Sequence, residues 1–282
     1  MTLFFDDRFV SAQAQEGLLA TEQRARRLLV VGMGLQVALA IPSLIALGID
    51  DRLLNDVSVW IKPIKFQASL LMMLATILLL LPVIEARTRA GRAVWLACLI
   101  AVITATGEIL YITLQAARGR ASHFNLDTPV EAVAYSVMGV GAALLVLSSL
   151  AIGVSILLRP RADAPQGLRL GGGWGLVLGS IATLFTAFAL GSGEIGGPGH
   201  WVGGVRTDLG GLPLFGWSRT GGDLRVPHFF ATHIMQALPI LGLLLDRLAP
   251  RLARAGILIG AFVSLAVVVA TFAQAVLGQP FL

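Results

Sequence analysis

From Phe66 to Ile84 the chain reads FQASLLMMLATILLLLPVI, a stretch without a single charged side chain. About 20 apolar residues in helical conformation cross the roughly 30 Å hydrocarbon layer of a bilayer. The stretch lacks the apolar–polar alternation of a strand with one face in lipid and one in water. It therefore predicts a membrane-spanning helix. Six further runs of the same kind flank it: Leu28–Leu47, Val94–Ala117, Val130–Leu158, Trp174–Gly191, His228–Leu245 and Ala255–Leu277. The fourth run in chain order, Val130–Leu158, is long enough to tilt. The prediction is an all-α integral membrane bundle of seven transmembrane helices over residues 28–282, preceded by an N-terminal segment, 1–27.

Composition agrees. Hydrophobic residues fill 56% of the 282 positions and charged residues 13%, where a soluble domain carries about 25% charged residues to hydrate its surface. The net charge of +5 resides mostly in arginines at the ends of the apolar runs, where membrane topology accounts for it. No basic tract with interleaved aromatics is present, so nucleic acid is not an expected partner. The single cysteine, Cys98, lies inside an apolar run, which leaves neither an internal disulfide nor a thiolate metal cluster. Residues Met1–Gln23 lack the apolar core of a cleaved signal peptide and are expected to stay on the mature protein.

Orientation follows from the Lys and Arg residues of alternate connections. One set carries thirteen, including Arg24, Arg26, Arg27, Arg87, Arg89 and Arg92; the other carries eight in longer segments. The positive-inside rule makes the first set cytoplasmic. A cytoplasmic N-terminus, a periplasmic C-terminus and a multi-pass inner-membrane location are expected. The last run and its flanks, Arg251–Leu282, contain no lysine, which excludes a retinal Schiff base.

The polar inventory is lopsided. All four histidines (His123, His200, His228, His233) and the only two lysines (Lys62, Lys65) fall toward the expected outer side. That side also carries the Gly-rich loop 191–226, too long to be a simple connector and expected to roof the helix ends. Glu108 is the sharpest signal, about 13 Å inside the outer end of the third run. A carboxylate at that depth costs several kcal/mol unless it is paired, protonated or hydrated. Thr104, Glu108, Tyr111 and Gln115 recur at helical spacing and form one polar stripe. His233 and Gln236, at i and i+3, share a face of the sixth run.

Two kinds of chemistry remain open for this set. Glu108, His233 and Tyr111 are the candidate proton-handling residues, with Glu108, Tyr111 and Gln115 of the third run expected to face His233 and Gln236 of the sixth. Lys62, Lys65, Gln115, Arg118, Asp223, Arg225 and Gln236 are candidate binding residues. The bland alternatives are an interhelical hydrogen-bond network for Glu108, interfacial anchoring for the lysines, and helix-end neutralisation for Arg118. His200, His228 and His233 are candidate ligands of a divalent metal, although the five-residue step from His228 to His233 suits a shared ion poorly. No histidine faces His233 at a matching depth, so haem is not expected.

The segments Trp60–Phe66, Glu108–Asn125 and Gly216–Gln236 resemble stretches of multi-pass bacterial inner-membrane proteins to which no activity is assigned. That resemblance implies a location and no mechanism. The expected function is binding and transforming a small or lipidic substrate at a periplasm-facing cavity. The alternatives are a proton-coupled transporter and a non-catalytic subunit, with a homo-oligomer or a larger membrane complex as the assembly.

Overall fold

The computed structural model describes residues 12–282. Of the expected N-terminal segment, residues 1–11 lie outside the described part. The chain is a bundle of long helices: α1 (Ala12–Ile49), α2 (Ile61–Leu80), the single turn α3 (Ala86–Arg89), α4 (Arg92–Ala117), α5 (Pro129–Leu158), α6 (Gln166–Gly191), α7 (Arg225–Leu248) and α8 (Ala253–Val276). Seven of them are long and apolar enough to cross a membrane. They make this a multi-pass membrane protein with lipid as its surrounding medium.

The surface confirms that medium. Large apolar side chains point outward along the helices, among them Ile45, Leu79, Phe188 and Phe262, each at least 60% exposed. An aqueous surface does not carry such a belt. Inside, Leu29, Leu74, Ile77, Cys98, Ile109, Ile152, Ile156 and Leu176 form one core without solvent access. Cys98 is thus a packing residue.

Helix ends show why the elements start where they do. The Thr128 hydroxyl accepts from the Glu131 backbone N–H at 3.2 Å and donates to the Glu131 carboxylate at 3.0 Å, with Pro129 in the first turn of α5; this is a side-chain N-cap. The Asp246 carboxylate, at the end of α7, accepts from the N–H groups of Gly167 and Leu168 at 2.7 Å each. It answers the exposed donors and positive pole of the α6 N-terminus. That contact lets α6 begin at Gln166, a full two turns before the apolar run that starts at Trp174.

The closest helix pair is α6 with α7. Gly167, Gly171, Gly175 and Gly179 repeat every fourth residue along one face of α6, the small-residue pattern that lets two helical backbones touch in lipid. A Cβ on Gly171 would lie 2.3 Å from the Leu238 carbonyl oxygen, and one on Gly242 would lie 2.1 Å from that of Gly167.

A second interface has a different character. Gly32 of α1 rests against Leu74 and Val102. One turn further along α1 and α4, Gln36 is fully buried with neither amide atom partnered among the described residues, and the Thr106 hydroxyl is likewise without a partner there. Two turns beyond, Ser43 receives the Gln67 amide at 3.0 Å, while Thr113 and the Gln67 oxygen find no partner. A polar seam therefore runs between α1, α2 and α4 through an otherwise apolar bundle.

Candidate functional site

The 33-residue connection from Ser192 to Leu224 closes one end of the bundle. It is tied down by two short antiparallel pairs. Strands β1 (Leu53–Leu54) and β2 (Val57–Ser58) form a hairpin whose turn residues, Asn55 and Asp56, have φ of 54° and 66°, the left-handed geometry of a tight two-residue turn. Strands β3 (Trp201–Val202) and β4 (Gly222–Asp223) join the two ends of the cap. The cap seats on the hairpin: the Asp208 N–H donates to the Asn55 carbonyl at 3.1 Å, and the Thr207 hydroxyl donates to Asp56 at 2.6 Å. Trp217 stacks on Phe215 (4.4 Å between centroids) and meets Phe229 and Phe281 edge-on.

Charge fixes the cap's inner face. The Arg225 guanidinium lies between two carboxylates, 2.7 Å from Asp223 and 2.8 Å from Asp208, and also donates to the Gly216 carbonyl at 2.7 Å. Asp223 accepts backbone N–H bonds from Ser218 and Arg225 as well. His200 Nε2 stands 3.3 Å from Asp208, within ion-pair distance but without hydrogen-bond alignment. Burial holds the His200 imidazole below its ordinary value, helped by Arg225 and opposed by Asp208. Asp208 stays below its own ordinary value because His200 and Arg225 together outweigh its burial. Asp223 and Arg225 thus satisfy one another.

A second network holds the α4–α5 connection. Arg120 pairs with Glu131 and Asp127. Gln115, fully buried, donates to the Tyr111 hydroxyl at 3.2 Å and to the Ala121 carbonyl at 3.1 Å, and accepts from Arg118 at 2.8 Å. Tyr111, Gln115 and Arg118 are therefore joined, and their polar atoms serve the loop. Lys65 is similarly engaged, donating to the Phe215 carbonyl at 2.8 Å.

The remaining expected residues gather beneath the cap. Glu108 is 7% exposed, with a carboxylate oxygen set against Gly141 of α5. The charge that bears on it is that of Lys62 in the first turn of α2. The two groups do not come within ion-pair distance (about 4 Å), and neither forms a hydrogen bond to a described residue. Lys62 Nζ lies 5.9 Å from the Phe66 ring centroid. On the other side of Phe66 sits His123 at 5.5 Å between rings. Its pKa is pushed well below the ordinary imidazole value by burial and by the charges of Lys62 and His228.

Two histidines of α7 complete the group, and their neighbours assign their protons. Thr186 donates its hydroxyl hydrogen to backbone carbonyls of its own helix, so at 3.2 Å it accepts from His228 Nδ1. Gln236 donates its amide to Thr76 at 3.3 Å and so turns its oxygen toward His233 Nδ1 at 3.2 Å. Each imidazole thereby carries its proton on Nδ1 and keeps Nε2 as the basic nitrogen.

Two expectations need correction. Glu108 and His233 do not face each other: His233 meets Phe229, Gln236 and, electrostatically, His228. Nor do His200, His228 and His233 converge on a metal site. They turn respectively to Asp208 on the cap, to Thr186 of α6 and to Gln236, and no group of three His, Cys, Asp or Glu side chains among the described residues is suited to a metal. Sequence reasoning also passed over Asp208 and Glu131. Glu131 carried a legible signal, the Thr128-Pro-Val-Glu131 N-terminal capping pattern; Asp208, in an aperiodic loop, carried none.

No protein-family model, no curated protein and no solved structure matches this chain.

Proposed function

We propose that the polar group beneath the cap binds a small anionic molecule and exchanges a proton with it, in an inner-membrane protein whose capped end faces the periplasm. One observation carries this reading. Of the cationic side chains at this end that sequence singles out for an anion, Lys65, Arg118 and Arg225 are occupied by the protein's own oxygens, whereas Lys62 has none among the described residues. Its charge acts on Glu108 from beyond ion-pair distance. A molecule seated there would rest its negative group on Lys62 and present a titratable atom to Glu108. His228 and His233, each with a basic Nε2, supply a relay away from that pair.

A through-path for a carrier has less support, because Leu74, Ile77, Leu80, Ile152 and Ile156 pack solidly on the far side of the group. A one-sided vessel for binding and proton transfer fits this arrangement better. Arginine excess at the opposite end supports the orientation.

The test is a thermal-shift screen of the detergent-purified protein against small carboxylates and phosphates. A hundredfold excess over Kd should raise Tm by about 5 to 10 °C. Lys62→Met should abolish that shift. Glu108→Gln should keep binding but remove the proton exchange that calorimetry in buffers of different ionisation enthalpy detects. If no anion stabilises the wild type, or if Lys62→Met responds equally, the reading fails. Orientation is tested separately with Leu209→Cys, a position 68% exposed on the cap. A membrane-impermeant maleimide added to cells with a permeabilised outer membrane should label it, while the buried Cys98 stays silent. Labelling only in inverted vesicles would reverse the topology.

A further inference from the structure

At the end of the bundle away from the cap, α1 and α4 leave a furrow open to the membrane. Two adjoining grooves of about 330 and 280 Å³ share Arg24 and Trp95 in their walls. Their size is at the lower end of the clefts that hold small molecules, about 300–1,000 Å³. Arg24, Arg27, Leu28 and Val31 occupy i, i+3, i+4 and i+7 of α1, and so present one stripe; Arg92, Trp95 and Leu96 do the same on α4. The furrow therefore joins leucine, valine and indole to three arginines, Arg24, Arg27 and Arg92, that share its walls.

Two other arginines at this end are neutralised within the protein. Arg89 is held by Glu22 at 3.0 Å and Arg161 by Asp163 at 2.6 Å. Arg24, Arg27 and Arg92 are exposed and form no ion pair with a described carboxylate. Their depth is equally telling. The apolar α1 span, Ala20–Ile49, has 30 residues, about 45 Å at 1.5 Å per residue, against roughly 30 Å of hydrocarbon. Its first two turns thus stand at headgroup level, and Trp95 sits where an indole prefers to lie, at the boundary of headgroup and chain.

We infer that this furrow is a binding site for an anionic phospholipid, its phosphate held by Arg24, Arg27 and Arg92 and one acyl chain lying along Leu28, Val31 and Leu96. A soluble anion would leave the apolar walls unused, and a zwitterionic lipid would bring its own cation to the arginines. A basic recess between helices at one bilayer surface is the arrangement that recognises acidic headgroups.

Native mass spectrometry of the purified protein, with phosphatidylglycerol competing against phosphatidylcholine of the same chains, tests this. Each arginine near the surface strengthens anion binding several-fold, so the preference for phosphatidylglycerol should be on the order of a hundredfold. In the triple variant Arg24→Gln, Arg27→Gln, Arg92→Gln it should fall close to unity. The control is Arg251→Gln with Arg254→Gln, two exposed arginines at the same end, one just before α8 and one in its first turn, which should retain most of it. Absence of preference in the wild type overturns the site. So does an equal loss in the control, which would show a diffuse surface attraction.

Discussion

Gly171→Ala is expected to prevent recovery of a folded monodisperse protein, although it adds one methyl group. The added Cβ would stand 2.3 Å from the Leu238 carbonyl oxygen and 2.9 Å from its carbon. Those are backbone atoms of the neighbouring helix, so no rotamer change relieves the overlap, and α7 must move away from α6 along the whole glycine face. Separation loses the dispersion contacts that hold helices together where lipid supplies no hydrophobic force. A loss beyond about 4 kcal/mol is the expected scale for such a backbone collision. Gly34→Ala supplies the comparison, because nothing lies within 4 Å of its added Cβ. There the better helix propensity of alanine, up to about 1 kcal/mol, should leave Tm unchanged or raised. Size-exclusion profiles and thermal midpoints of both variants decide the matter; similar behaviour would remove the close helix contact from the account.

Arg225→Ala is expected to release the cap while the helices stay assembled. The substitution strands Asp208 and Asp223, whose side chains are 12% and 1% exposed. Removing one partner from a buried ion pair costs about 3–5 kcal/mol, since the remaining charge keeps its desolvation penalty. The cap has less to spare than the bundle, because its other ties are single hydrogen bonds and one aromatic cluster. Trypsin should therefore cut at Arg206 and Arg219, both exposed on the cap, many times faster than in the wild type. Adding Asp208→Asn to Arg225→Ala removes one stranded charge and should recover part of the protection, a non-additive result typical of coupled groups. Unchanged cleavage in the single variant would show that the aromatic cluster around Trp217 holds the cap alone.

The architecture was legible because the apolar runs are long and the bilayer fixes how long they must be. What misled was local composition. Residues 167–173 are glycine-rich and carry Arg169, so the predicted fifth span starts at Trp174; the helix forms from Gln166 because Asp246 caps it and α7 packs against its glycines. The four-residue glycine repeat was visible in the string and points to helix contact in lipid, yet average hydropathy conceals it. Within the site, sequence gave depth but not direction around each helix. Glu108 and His233 occupy comparable levels, and only the packing of α4 against α5 turns Glu108 to Gly141 and the charge of Lys62. Asp208 and Arg225 are linked by tertiary geometry alone, with an irregular loop between them.

The seam between α1 and α4 bears on the order in which the protein is made. Gln36 emerges from the ribosome early, and the α4 turns that cover this side of α1, near Val102 and Thr106, follow some seventy positions later. At about 5–20 residues per second, α1 waits for about 4 to 14 s with the Gln36 amide facing acyl chains or the insertion machinery. Integration of the first helix is therefore completed by the third, and a nascent chain truncated before Arg92 would hold α1 less firmly in the bilayer than one released after Ala117.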